Sequence, residues 1–157
     1  MNKKGFTLIE VLLVVVIIAI LAGITIVAIN PGQQISDAND TQRTADVKTI
    51  VDAVSQYRID NRGDLPANIP VGVDNAAVIG DDPADDDVEA DICGDLVPTY
   101  VVGLPTDPTA EDLAAAAAQY TDCTDYYIGY TIYQTAEGRV FVTAPDAEGG
   151  ETIEAAQ

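Results

Sequence analysis

From Phe6 to Ile29 the chain is apolar almost without interruption, and no other stretch constrains its fold as strongly. Val11 to Ile24 reads VLLVVVIIAILAGI, with no polar residue in it. As a helix rising ~1.5 Å per residue, those 24 positions extend roughly 36 Å, enough to cross a hydrocarbon core ~30 Å thick. A helix buried in a soluble core is the alternative, but little in the remaining chain looks able to wrap it. Membrane insertion is therefore expected. Lys3 and Lys4 precede the span and no cation directly follows it, so the positive-inside rule keeps the N-terminus in the cytoplasm and exports the rest.

The exported part is acidic. Against 26 Asp and Glu the chain has seven Lys and Arg and no histidine, a formal charge of −19. Nucleic-acid binding draws on cations that neutralise phosphates, so direct nucleic-acid binding is not expected. Enzymatic chemistry is not expected either: histidine is absent, the serines are Ser36 and Ser55 within a predicted helix, and no phosphate-cradling loop follows a strand. Cys93 and Cys123 fall in a compartment where a disulfide persists. Bridging them closes a loop of about 30 residues, worth roughly 3 kcal/mol in the chain-entropy account; two separate buried thiols are the alternative. With two sulfurs and no histidine, a transition-metal site is not expected.

The front of the apolar span is unusual. An ordinary secretory signal is shorter and ends at a small-residue cleavage site. Here Gly5 separates the lysines from Phe6-Thr7-Leu8-Ile9, and Glu10 stands inside the run. A carboxylate near a membrane helix centre costs ~2.5–3.5 kcal/mol, less toward the interface. Taken alone, Glu10 could simply reach the cytoplasmic headgroups. Together, Lys3-Lys4-Gly5-Phe6-Thr7-Leu8-Ile9-Glu10 and the aliphatic helix after it resemble the prepilin cleavage motif of type IV pilins and type II secretion pseudopilins.

The resemblance implies an α+β pilin-like fold, a long N-terminal helix whose hydrophobic half protrudes and whose amphipathic half packs on a small antiparallel sheet. It implies that a prepilin peptidase and N-methyltransferase cuts between Gly5 and Phe6 and methylates the new terminus. Glu10 then meets the Phe6 ammonium of a neighbouring subunit, because a charge buried in an apolar bundle needs a partner. The implied partners are further copies of the chain in a homopolymer, other pilins, an inner-membrane assembly platform, and the membrane before assembly. The chain divides accordingly into leader 1–5, membrane and filament-core helix 6–29, amphipathic helix 30–66 and acidic globular part 67–157.

Past the span, Asn30-Pro31-Gly32 reads as a helix breaker. Val47, Ile50, Val51, Val54 and Tyr57 then repeat at helical spacing. One long helix broken at Pro31 is preferred here to two helices joined by a turn, and helix-breaking residues at this point are a feature of similar pilins. Tyr57 to Pro66 resembles the helix ending of many pilin-like chains, with an arginine, Arg62, inserted before Gly63. Eight acids fall between Asp81 and Asp95. Asp81, Asp82, Asp85, Asp86 and Asp87 are weak calcium candidates, since calcium takes clustered carboxylates; EF-hand spacing is absent, and a solvated acidic loop is the simpler reading. Asp107-Pro108 predicts a helix start, with a helix to Tyr120.

Tyr126, Ile128, Tyr130 and Ile132 alternate onto one face of a strand. Ala136-Glu137-Gly138 then makes a turn and Val140–Thr143 a partner strand. The tyrosines read as core and edge residues rather than as a ligand platform. Gly149 to Gln157 reads as a frayed tail. The functional expectation is the shaft subunit of a surface pilus serving adhesion, motility or DNA uptake. A type II secretion pseudopilin is the alternative, favoured by Pro105-Thr106-Asp107-Pro108. An uncleaved, membrane-anchored extracellular binding domain is the third reading.

Overall fold

The structure is a computed structural model that describes residues 5–81, 89–109, 122–124, 126–150 and 152–157, the side chains of 26–29 excepted. The chain forms two compact units, Met1–Ser36 and Asp37–Gln157. The expected helix from Thr109 to Tyr120 lies almost wholly outside the described residues.

In the first unit, helix α1 covers Leu8–Ile29. Valine and isoleucine are indifferent helix formers in water. With no polar side chain to offer the backbone another partner from Val11 to Ile24, the intrahelical ladder is the stable arrangement in an apolar medium. The helix ends at Asn30, whose backbone is left-handed (φ 47°, ψ 77°). Pro31 opens helix α2, Pro31–Asp60, at its first position, where the missing N–H costs no hydrogen bond. The amides of Gln33 and Gln34 bond to Asn30 O. The interruption is thus one residue long.

The second unit takes α2 from Asp37 onward. Arg43, Val47, Ile50, Val51, Ala53 and Val54 are its buried residues, a stripe at three- and four-residue spacing. Arg62 adopts φ 62° just past the helix, and Gly63 N–H bonds to Arg58 O at 2.8 Å, the longer of the two Schellman bonds. The inserted arginine therefore occupies the left-handed position that a glycine ordinarily fills.

Against α2 lies a four-stranded antiparallel sheet in the order β1-β2-β3-β4 (Ala77–Asp81, Tyr126–Gln134, Val140–Ala144, Ile153–Ala156). Tyr126, Ile128, Tyr130 and Ile132 of β2 are fully buried on one face, as their alternation predicts. They join Val47, Val51 and Val54 of α2 in one core. The α+β pilin-like fold is as expected.

Two expectations fail. The tail is not frayed: β4 pairs with β3 from Phe141↔Ala156 to Ala144↔Ile153, Gln157 N–H bonds to Val140 O, and Ser55 donates to the Gln157 side chain. Ile153 and Ala155 pack on the core, which supplies the burial that composition alone did not suggest. The acidic stretch read from Asp81 as a solvated loop begins inside a strand: Asp81 closes β1, in which Ala77 and Ile79 are buried. At Gly80 of β1 a Cβ would come within 2.9 Å of Tyr126 O, so the strand crosses its partner at an irregularity only glycine fits.

Candidate assembly site at the amino terminus

Gly5, Phe6 and Thr7 precede α1 outside any regular element, all three exposed. Thr7 is the N-cap (φ −82°, ψ 151°). Its hydroxyl oxygen accepts from Glu10 N–H at 3.3 Å, and Glu10 Oε2 accepts from Thr7 N–H and from Thr7 Oγ1, each at 3.3 Å. This reciprocal capping box satisfies two amides that a helix start leaves unpaired, and it places a carboxylate at the positive end of the helix dipole. Glu10 thus has a local partner inside its own chain. Phe6, immediately before the cap, is 85% exposed.

Behind the cap, Leu8–Thr25 has a mean hydropathy of 3.0, and none of that window is buried. Large side chains are exposed all around it, Val11, Leu13, Val15, Ile18 and Leu21 among them. A helix apolar on every side and covered on none is stable only in lipid or in a bundle of other helices.

Gly5 makes a different point. A Cβ there would meet nothing within 4 Å, and its φ is not left-handed. Among the described residues nothing requires glycine at that position. A requirement for it therefore belongs to whatever reads the segment from outside.

The second unit holds a polar cluster absent from the sequence reading. Arg43 has no exposed surface. Its Nε donates to Asp107 Oδ2 at 2.7 Å and its Nη2 to Asp107 Oδ1 at 3.1 Å, a bidentate pair of fully buried side chains. Nη2 also donates to Thr109 Oγ1 at 2.7 Å, and Nη1 to Asp40 at 2.8 Å and Glu148 at 3.4 Å. Asp40 in turn accepts the amides of Glu148 and Gly149 at 3.0 and 2.7 Å. The cluster joins α2, the segment 107–109 and the turn between β3 and β4.

Its electrostatics follow from those bonds. The Glu148 amide and Arg43 hold the Asp40 carboxyl below its ordinary 3.8. Burial pushes Asp107 up, but the bonds from Arg43 and Thr109 outweigh it and hold that carboxyl low as well. Arg43, held mainly by Asp107, is more firmly protonated than a free guanidinium. Nearby, burial raises Asp46, against the Tyr130 hydroxyl that donates to it at 2.9 Å. Burial and Asp46 raise the Tyr130 phenol in return. A signal for Arg43 existed: it falls on the stripe of Val47, Ile50 and Val54, where a charge must be paired. Asp107 had already been singled out as an N-cap, and it does accept the Thr109 amide at 2.8 Å.

Cys93 and Cys123 are bonded, their Cα atoms 5.4 Å apart. Cys93 opens a short helix, α3 (Cys93–Leu96), and the bridge ties it to the approach to β2. Tyr126 completes the joint, its hydroxyl accepting the Ile92 and Cys93 amides and donating to Asp91 at 3.0 Å. Of the calcium candidates, Asp81 ends β1, while Asp82, Asp85, Asp86 and Asp87 lie outside the described residues. Among the described residues no three potential ligands gather to hold a metal ion.

Comparison with known proteins bears on this amino terminus. The family model for the prokaryotic N-terminal methylation motif matches residues 1–26. The chain is similar to the type IV wide pilus major component PilA4 of Thermus thermophilus, 47% identical over 60 residues. That match covers 38% of this chain and 44% of that protein, so the chain spans less than half the length of this relative. No solved structure matches. At its amino terminus, over a helix apolar on every side, the chain thus carries the methylation motif and is similar to a type IV pilus component.

Proposed function

We propose that this chain is the precursor of a structural filament subunit, cut between Gly5 and Phe6 and polymerised through α1 into an extracellular pilus. The observation that carries this reading is a capped, exposed helix start opening an 18-residue window of mean hydropathy 3.0 that has no cover of its own. The exposed Gly5–Phe6 segment lies outside any regular element and is open to a protease, and among the described residues nothing demands its glycine. Removing residues 1–5 deletes Lys3 and Lys4, which anchor the leader to the cytoplasmic face. The partners are then a prepilin peptidase and N-methyltransferase, an assembly platform in the inner membrane, and other copies of the chain. The relative's name, a pilus component, favours a surface pilus over a secretion fibre.

In the filament, Glu10 exchanges its local partner for the Phe6 ammonium of the adjacent subunit. Glu10→Gln keeps a side chain able to accept from Thr7 but removes the charge, so insertion is retained while filament yield falls. The direct test is intact mass and N-terminal peptide spectrometry on material sheared from cells. A chain starting at methylated Phe6 is the expected result. A chain still starting at Met1 and confined to membranes overturns the reading in favour of an anchored binding domain.

A further inference from the structure

The second unit carries its charge unevenly along its length. Strand β2 has nine residues, about 31 Å at ~3.4 Å each. Asp81 pairs with its first residue, Tyr126, and Val140 with its last, Gln134. At the Gln134 end, Arg58 Nη1 donates to Gly138 O at 2.9 Å, beside Arg139. Arg58 Nε reaches Gly63 O at 3.3 Å, beside Arg62. Three arginines are thus carried by the β2–β3 hairpin and the α2 C-terminus where these meet, the Arg139 guanidinium lying over the Phe141 ring 5.5 Å from its centroid. Among the described residues, none of the three forms an ion pair. The remaining cations beyond the leader are occupied, Arg43 in its buried cluster and Lys48 with Asp52 at 3.0 Å. Asp60, Asp64 and Glu137 adjoin the arginines in sequence, so this end is near neutral rather than cationic.

The opposite end is strongly anionic. Asp81 lies there by register. So does the β3–β4 turn, with Asp146 and Glu148, because Ala144 pairs with Ile153 at that end. Asp40 binds that turn and brings the Asp37 end of α2 to it. Asp122, just ahead of Tyr126, adds another carboxylate. Among the described residues no exposed cation stands beside them.

Two anionic ends repel each other, whereas the arginine end against the anionic end pairs guanidinium forks with carboxylates. We propose that copies of this chain meet head to tail through this unit, the Arg58–Arg62–Arg139 end of one against the Asp37–Asp146 end of the next. The occupant of the arginine end is a second copy, because the chain itself presents the strongly anionic surface that complements it. Such a contact is heterologous: it does not close on itself, so it repeats into an open fibre and gives that fibre a direction. The inference rests on the filament reading and adds to it the polarity and chemistry of the contact between globular parts.

The test is a charge swap in the full chain, in cells that assemble it. Arg62→Glu with Arg139→Glu is expected to lower the yield of sheared filaments about tenfold or more, because juxtaposed like charges weaken association that strongly. Adding Asp37→Arg and Asp146→Arg to the same chain restores opposite signs across the contact and is expected to recover most of the yield. Subunit level in membranes and the Cys93–Cys123 bond, followed in each variant, show that folding is retained. Filaments at wild-type yield from the double arginine variant overturn the proposal, as does absence of rescue by the swap. A wild-type chain that gives no filaments at all fails the filament reading itself, a result distinct from either.

Discussion

Arg43 shows what a single buried charge commits a chain to. With both Arg43 and Asp107 fully out of water, removing one leaves the other unpaired, a loss of about 3–5 kcal/mol. Arg43→Leu is therefore expected to lower the urea midpoint sharply, whereas Arg43→Leu with Asp107→Leu recovers much of it. If single and double variants are equally unstable, the bidentate pair is not the controlling contact. The same cluster sets an acid limit. Asp40 and Asp107 titrate below 3.8 when folded, so their contribution is fully present above the ordinary carboxylate range. It is lost as pH falls below 3.8 through their folded values. Asp46, raised by burial, has the opposite sign and opposes this only in the range just above 3.8. Asp40→Asn is expected to flatten the acid limb of a stability–pH curve; an unchanged limb would remove Asp40 from the account. Arg62 offers the converse case. Its left-handed backbone is one glycine adopts freely, so Arg62→Gly is expected to gain up to ~1 kcal/mol, read as a higher melting temperature.

Among the elements, β4 separates what was legible from what was not. Its hydrogen bonds predict an alternating exchange pattern. Gln157 N–H points inward to Val140 O, so Ala155, two residues back, points inward as well, while the Glu154 and Ala156 amides face the open edge. Amide exchange should be slow at Ala155 and Gln157 and fast at Glu154 and Ala156; uniform fast exchange would mean a tail that only touches the sheet. Four residues with an acid among them carry too weak an alternation to announce a strand, and the partial burial of Ile153 and Ala155 comes from packing on the assembled core. Strand β1 hid for a related reason: Ala77, Val78 and Ile79 are a short apolar run that meets an acidic stretch at Asp81. By contrast, β2 and α2 each repeat their own period for long enough to be read directly. The amino-terminal motif was fully legible because its residues are contiguous. Arg43 and Asp107, 64 positions apart, meet only through tertiary packing.

For the molecule as a whole, charge is the term that conditions alter most readily. Removing the two leader lysines leaves five cations against 26 acids, a formal −21 before the new amino group is counted (5 − 26). All of these charges but Glu10 lie in the second unit, a formal −20 there (5 − 25), and so much like charge opposes compaction. Salt shortens the reach of that repulsion, from ~10 Å at 0.1 M to ~3 Å at 1 M. The Arg43 cluster, being buried, is screened much less. Raising salt therefore removes more repulsion than attraction, and the melting temperature of the detergent-solubilised chain should rise between about 0.1 and 1 M sodium chloride. A sulfate salt would confuse the test, since it also strengthens apolar burial; sodium chloride compared with sodium bromide at equal ionic strength isolates screening. Equal rises in the two establish repulsion as the limiting term. A flat response would mean that the acids are already compensated within the fold.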